Sequence, residues 1–197
     1  MGSRAGRQRR VFDLTIPNFI TIARLLGVPL IVWLIIADRY VEATALFILA
    51  GLSDAADGFI AKRFHARSEL GAYLDPIADK ALLVSVFLAL GFKGVLPAWL
   101  IVLVVSRDFF IIGGMLLAYM MSNPMPVHPL WVSKANTVAQ IVLIAFVLFD
   151  RSGVTVFQTL VAATVLAVAA LTIGSAAAYL IGWVRHMAGG PGGESAP

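Results

Sequence analysis

Long apolar runs separated by short polar interruptions set the architecture of this chain. Apolar residues dominate positions of about 18–37, 41–59, 74–92, 96–120, 132–149 and 155–184. Each run lies near the roughly 20 residues that a helix needs to cross a bilayer. The runs are continuous and lack the polar/apolar alternation of a membrane barrel. A helix satisfies its backbone groups within one segment, so the pattern predicts an all-α, polytopic membrane protein with six transmembrane helices. Composition agrees: 60% of residues are hydrophobic and 13% charged, with a mean hydropathy of +0.91. A soluble domain has no means of burying that much apolar surface. One membrane domain over 1–188 is expected, followed by a disordered Gly/Pro-rich tail over 189–197.

Charge adds an orientation. The net charge is +4, and Arg4, Arg7, Arg9 and Arg10 crowd the beginning. With six spans, that basic stretch shares a side with Lys62, Arg63, Arg67, Lys134 and Arg185. Arg39, Lys93 and Arg151 fall on the other. The richer side is predicted to be cytoplasmic, and both termini with it. The first apolar run is too long for a secretory signal and no clear cleavage site follows it. Phe12, Leu14 and Ile16 among arginines suit a short interfacial helix. Gly2 is followed at position 6 by Gly and not by the Ser or Thr of a myristoylation signal. The absence of cysteine excludes disulfides and thiolate metal sites. The small residues of the last run, Ala169, Ala170, Gly174, Ser175 and Ala176 among them, fit close helix packing.

Against this apolar background stands DAADGFIAKRFHARSELGAYLDPIADK, residues 54–80. Asp54 and Asp57 are three apart, and Asp75 and Asp79 four apart, so each pair shares a helix face. A hairpin would bring the two faces together. A charge at mid-membrane costs on the order of 3 kcal/mol, less near the interface, so four carboxylates need a cationic partner. Carboxylates with no nearby Cys or His ligand suit Mg²⁺ or Mn²⁺, and a pair of ions could clamp phosphate oxygens. Gly58 and Gly71 fit close approach of a ligand to the backbone, since a helix glycine otherwise costs about 1 kcal/mol relative to alanine. The structural alternative is that these aspartates cap helices and pair with Lys62, Arg63, Arg67 and Lys80.

The same residues resemble the motif of the CDP-alcohol phosphatidyltransferases. That motif reads D, two residues, D-G, two residues, A-R, eight residues, G, three residues, D, three residues, D. Here it is Asp54, Asp57-Gly58, Ala61-Lys62, Gly71, Asp75 and Asp79, with every spacing kept. Lys62 replaces the usual Arg, which keeps the charge and loses the planar fork. The resemblance implies a metal-dependent transfer of a phosphatidyl group from CDP-diacylglycerol to an alcohol, with release of CMP. Asp54, Asp57, Asp75 and Asp79 would hold two Mg²⁺ or Mn²⁺ ions, and Asp79 would also be the general base. Gly58, Ala61 and Gly71 would give the cytidine close access, and Lys62 would be a further substrate-binding residue. The resemblance further implies a homodimer in contact with membrane lipids, with no nucleic-acid partner.

Other polar residues inside apolar runs bear on the substrates. In PNFITIAR, Asn18, Thr21 and Arg24 share one helical side, and Arg24 either lines the donor pocket or pairs with an aspartate. In SRD, residues 106–108, Arg107 either binds the acceptor's phosphate or pairs internally with Asp108. VSKANTVAQ, residues 132–140, resembles the S-K-x-N-T-x-x-Q pattern of eukaryotic-type cardiolipin synthases. Phosphatidylglycerophosphate synthases more often show G-K-x-K-T there, so Asn136 favours phosphatidylglycerol over glycerol 3-phosphate as acceptor. Lys134 serves either the acceptor or the membrane interface, where its charged end snorkels. His65, His128 and His186 read as surface residues. Two rival classes are a small cation channel or carrier and a non-catalytic scaffold. The first expects acids spread through several spans and a repeat, which is not evident here. The second has no use for glycines beside carboxylates.

Overall fold

The computed structural model describes residues 16–64, 69–120, 131–156 and 158–188; side chains are described over 22–53, 78–111, 113, 131–156, 158–182 and 184. Among these residues the chain forms six helices and no strand: α1 Ile16–Ile36, α2 Tyr40–Phe64, α3 Glu69–Phe92, α4 Ala98–Met120, α5 Trp131–Arg151 and α6 Gln158–Ala188. Each corresponds to one of the apolar runs; α1 stops one residue before its run does, and α4 and α6 begin two and three residues inside theirs. The helices outlast the runs at the polar end: α2 continues past residue 59 to Phe64, and α3 begins at Glu69 instead of near residue 74. Ala, Lys, Glu and Leu in those extensions are good helix formers, and a helix does not end where hydropathy falls. Asp54 and Asp57 therefore lie within α2, and Asp75 and Asp79 within α3. The expected interfacial helix at residues 12–16 and the tail over 189–197 lie outside the described residues, apart from Ile16, which opens α1.

Three helices end alike at the end of the bundle away from the aspartates. After α1, Arg39 N–H donates to the Leu34 carbonyl (2.9 Å) and Asp38 N–H to the Ile35 carbonyl (3.1 Å). After α3, Val95 donates to Leu90 (2.9 Å) and Gly94 to Gly91 (2.8 Å). After α5, Val154 donates to Phe149 (3.0 Å) and Gly153 to Asp150 (3.3 Å). This is the Schellman arrangement, which satisfies the last carbonyls through one residue with positive φ. That residue is Asp38 (φ 60), Gly94 (φ 67) or Gly153 (φ 94). Lys93 ties two of these ends together through the Asp38 carboxylate (2.7 Å) and the Ile36 carbonyl (3.3 Å). Its hydrogen bond holds the Asp38 carboxyl below its ordinary value.

The apolar core lies towards this same end. Ile31 and Ile35 of α1, Val86, Phe87 and Leu90 of α3, Leu100 and Val104 of α4, Leu143, Ile144 and Leu148 of α5, and Val168 of α6 are fully buried. Helix α1 packs on α2 and α3, and α6 on α5 and α4. Contacts of α2 with α5, and of α3 with α4 and α5, close the bundle. Thr44 of α2 marks one such closure, donating to the Leu148 carbonyl of α5 at 3.2 Å.

The outer surface is apolar as well. Leu26 is 70% exposed, Phe109 75%, Phe110 74% and Phe92 80%, which is the surface expected against lipid. Among the described residues, Trp131–Arg151 and Gln158–Gly182 are long and apolar enough to cross a membrane. The apolar helical stretches Ile22–Ile36 and Tyr40–Ser53 are shorter.

An alanine methyl at Gly94 or Gly153 would meet nothing within 4 Å, so substitution there strains only the backbone. Gly94→Ala and Gly153→Ala are each expected to lower stability by about 1 kcal/mol. Denaturation of the purified protein in detergent checks this; wild-type stability in both would contradict the assigned helix ends.

Candidate active site

The site is built where charged residues of the polar half meet. Arg24 occurs in the middle of an apolar run of α1, with its side chain only 2% exposed. A buried guanidinium needs an opposite charge, and the neighbouring helix supplies it. Arg24 Nη1 lies 2.9 Å from Asp79 Oδ1 on α3. The Asp79 side chain remains 44% exposed, so the pair orients a carboxylate without sealing it off. Of the two alternatives for Arg24, pairing with an aspartate is what the structure contains.

The next residue turns away. Successive helix positions differ by roughly 100°, so Lys80 points from α3 towards α4. Its Nζ lies 2.7 Å from Asp108 Oδ2. Asp108, with a side chain 9% exposed, also pairs through Oδ1 with Nη1 of its neighbour Arg107. Arg107 is itself buried and spends its remaining donors on two helices. Nη2 donates to Ser133 Oγ of α5 (2.6 Å) and to Ser175 Oγ of α6 (2.6 Å), and Nε donates to Ser175 at 3.3 Å. The Tyr179 ring lies 6.0 Å from the guanidinium carbon. The internal pair considered for SRD is thus present, and it extends into a network joining α3, α4, α5 and α6.

One further polar contact deepens the α5–α6 seam. Asn136 is fully buried, and its Oδ1 accepts a hydrogen bond from Thr172 Oγ1 at 3.0 Å. The Asn136 Nδ2 and Gln140 Nε2 groups are buried with no acceptor among the described residues. Lys134 is exposed, with its ammonium 5.3 Å from the centre of the Trp131 ring, in keeping with a snorkelling position.

Asn18 and Thr21 are placed on α1, Asp54, Asp57, Gly58, Ala61 and Lys62 on α2, and Gly71 and Asp75 on α3; their side chains lie outside the described residues. Among the described residues no group of three metal-ligating side chains comes together, and three of the four motif aspartates are outside them. The donor set itself is carboxylate on two helices, chemistry that suits a hard divalent cation.

Sequence reasoning alone did not reach Lys80, Ser133, Ser175 and Tyr179 as parts of one network. The available signal was the spacing of Thr172, Ser175 and Tyr179, which share one face of an otherwise Ala/Leu/Val-rich helix. Ser175 reads from composition only as a small packing residue.

Removing Arg107 would leave Asp108 with Lys80 alone in a buried setting. Arg107→Met is expected to cost about 3 kcal/mol of stability, and Ser175→Ala about 1 kcal/mol. Detergent unfolding measures both. An Arg107→Met protein as stable as wild type would contradict the network.

Comparison with known proteins agrees with the motif. The CDP-alcohol phosphatidyltransferase profile matches residues 14–180. The rice (Oryza sativa subsp. japonica) protein named "CDP-diacylglycerol--glycerol-3-phosphate 3-phosphatidyltransferase 1, chloroplastic" is 35% identical over 187 residues, 82% of this chain and 56% of its own length. The human cardiolipin synthase (CMP-forming) is 33% identical over 147 residues, 66% of this chain and 49% of its own. A Streptomyces coelicolor protein of the same name is 41% identical over 101 residues, 48% of this chain and 47% of its own. The chain spans about half the length of the curated relatives it matches. With the motif of residues 54–79 inside a match that covers most of its length, the chain belongs to the CDP-alcohol phosphatidyltransferase family.

Proposed function

We propose that the protein transfers a phosphatidyl group from CDP-diacylglycerol to the hydroxyl of a glycerol-type acceptor and releases CMP. The observation that carries this reading is the aspartate motif seated on α2 and α3, with its last member, Asp79, held by Arg24 yet 44% exposed. In this reading the acceptor oxygen forms a bond to the phosphorus that bears the diacylglycerol. The bond from that phosphorus to the bridging oxygen breaks, and CMP leaves with that oxygen. Asp79 takes the proton of the acceptor hydroxyl at a carboxylate oxygen. Arg24 fixes the direction of that carboxylate through Oδ1 and offsets its charge in the apolar surroundings.

Asp54, Asp57, Asp75 and Asp79 would hold two Mg²⁺ or Mn²⁺ ions, which suit carboxylate oxygens. Such ions, when bound, offset diphosphate charge and make a hydroxyl more acidic. Gly58, Ala61 and Gly71 would give the cytidine close access to the backbone of α2 and α3, and Lys62 would offer it a point charge in place of a fork. Asn18 and Thr21 of α1 would serve the donor. Arg107, Lys134 and Asn136 belong to the acceptor side.

The proposed acceptor is phosphatidylglycerol, and the product cardiolipin. The S-K-x-N-T-x-x-Q pattern of residues 133–140 and the names of the human and Streptomyces relatives support it. A second reading, glycerol 3-phosphate as acceptor, is favoured by the name of the rice relative, whose match covers 82% of this chain. The remaining parts of the proposal are six membrane spans, both termini and the site on the cytoplasmic side, and a homodimer. The basic loops and the apolar outer surface support the first two.

Purified protein in detergent with CDP-diacylglycerol and Mg²⁺ or Mn²⁺, offered each acceptor separately, tests the proposal. Cardiolipin from phosphatidylglycerol is expected, lost in Asp79→Asn and absent when the metal is chelated. Product from glycerol 3-phosphate alone would replace the acceptor. No CMP from either alcohol would overturn the activity.

A further inference from the structure

Among the described residues, two cations and one carboxylate meet in the network on α3 and α4, which leaves an excess positive charge there. Arg107 is 4% exposed on its side chain, and its three nitrogens are occupied by Asp108, Ser133 and Ser175. It has little left to offer a ligand. Lys80 is different. Its side chain is 38% exposed, and its only hydrogen bond among the described residues is to Asp108. An ammonium has three donors, so two remain for another acceptor. Lys80 also follows Asp79 directly, and consecutive Cα atoms lie about 3.8 Å apart. Asp79 faces α1 through Arg24, whereas Lys80 faces α4 through Asp108. The excess charge therefore lies beside the proposed base, on the flank away from α1.

We propose that Lys80, anchored by Asp108, contacts the anionic phosphate of the acceptor, and that Asp108 and Arg107 are positioning residues that set its place. The inference rests on the phosphatidyl-transfer reading and deepens its acceptor side. It moves the anion contact from Arg107 to Lys80. Phosphatidylglycerol carries a phosphodiester and glycerol 3-phosphate a phosphate monoester, so the same cation serves either acceptor. The donor's diphosphate is the other source of the same chemistry, and kinetics separate the two. A flexible lysine without its anchor would sample many rotamers, and binding an anion would then have to order it. Asp108 removes that cost in advance.

The test compares wild type with K80Q, K80R and D108N in detergent, measuring CMP release with acceptor and CDP-diacylglycerol varied in turn. Loss of a charge-assisted hydrogen bond corresponds to roughly a 10-fold or greater rise in acceptor KM for K80Q. The donor KM is expected to stay within about two-fold, since a loss confined to the acceptor contact leaves donor binding alone. K80R should recover most of the affinity, and D108N should raise the acceptor KM by less than K80Q. A rise confined to the donor KM would assign Lys80 to the diphosphate and overturn the inference, as would no change in either. K80Q leaves the buried Arg107–Asp108 pair intact, and a second variant, K80M, guards against an effect peculiar to glutamine; it must unfold like wild type in detergent and show the same acceptor defect. A readout without turnover is the thermal shift given by glycerol 3-phosphate, expected in wild type and lost in K80Q. A shift that survives in K80Q overturns the anion site. A lysine-dependent shift in a protein that releases no CMP keeps the anion site and discards the activity.

Discussion

A charged side chain taken out of water is tolerated only beside its opposite, because an uncompensated buried charge costs several kcal/mol. In this protein that constraint falls first on Arg24, whose guanidinium is buried in a predominantly apolar helix. Its pairing with Asp79 fixes how α1 lies against α3 and which way the last motif aspartate points. The same requirement repeats one residue later. Asp108 pairs with both Lys80 and Arg107, and the serines of α5 and α6 take up the remaining donors of Arg107. The polar half of the bundle is thus organised by charge compensation, and the other half by close packing around Phe87, Leu100 and Ile144.

This division links fold to chemistry. The apolar half, with its three Schellman ends and the Lys93 clasp, gives the helices a fixed base. Fixed helices hold Asp79 and Lys80 in separate directions, one to α1 and one to α4, although they are neighbours in the chain. In the proposed reaction a donor and an acceptor meet at one phosphorus, and such a division would give each its own side: the aspartates to the diphosphate, Lys80 to an anionic acceptor. The buried Asn136, bonded to Thr172, shapes the α5–α6 seam behind that flank.

Much of this was legible in the sequence, and the limits have physical causes. Hydropathy located all six helices, because each must present an apolar surface to its neighbours and surroundings. It misjudged the polar ends of α2 and α3, where helix-forming residues carry the backbone beyond the apolar run. Motif spacing identified the aspartates and the family, since i, i+3 and i, i+4 positions share a face whatever the tertiary fold. Pairing was not legible. Arg24 and Asp79 are 55 residues apart, and Lys80 and Asp108 are 28 apart, so only the packing of α1, α3 and α4 reveals who meets whom. Arg107 illustrates the ambiguity, because a buried arginine beside an aspartate reads equally as a ligand site or as an internal pair.

The organisation of the site depends most on the coupling between Arg24 and Asp79, and a double-mutant cycle measures it directly. Arg24→Gln, Asp79→Asn and the double variant would be unfolded in detergent and compared with wild type. Coupled partners are predicted to show an interaction energy of at least about 1 kcal/mol, the double variant losing less than the sum of the singles. Single effects that add to within about 0.5 kcal/mol would mean the two residues act independently, and the proposed organisation of the site would be contradicted.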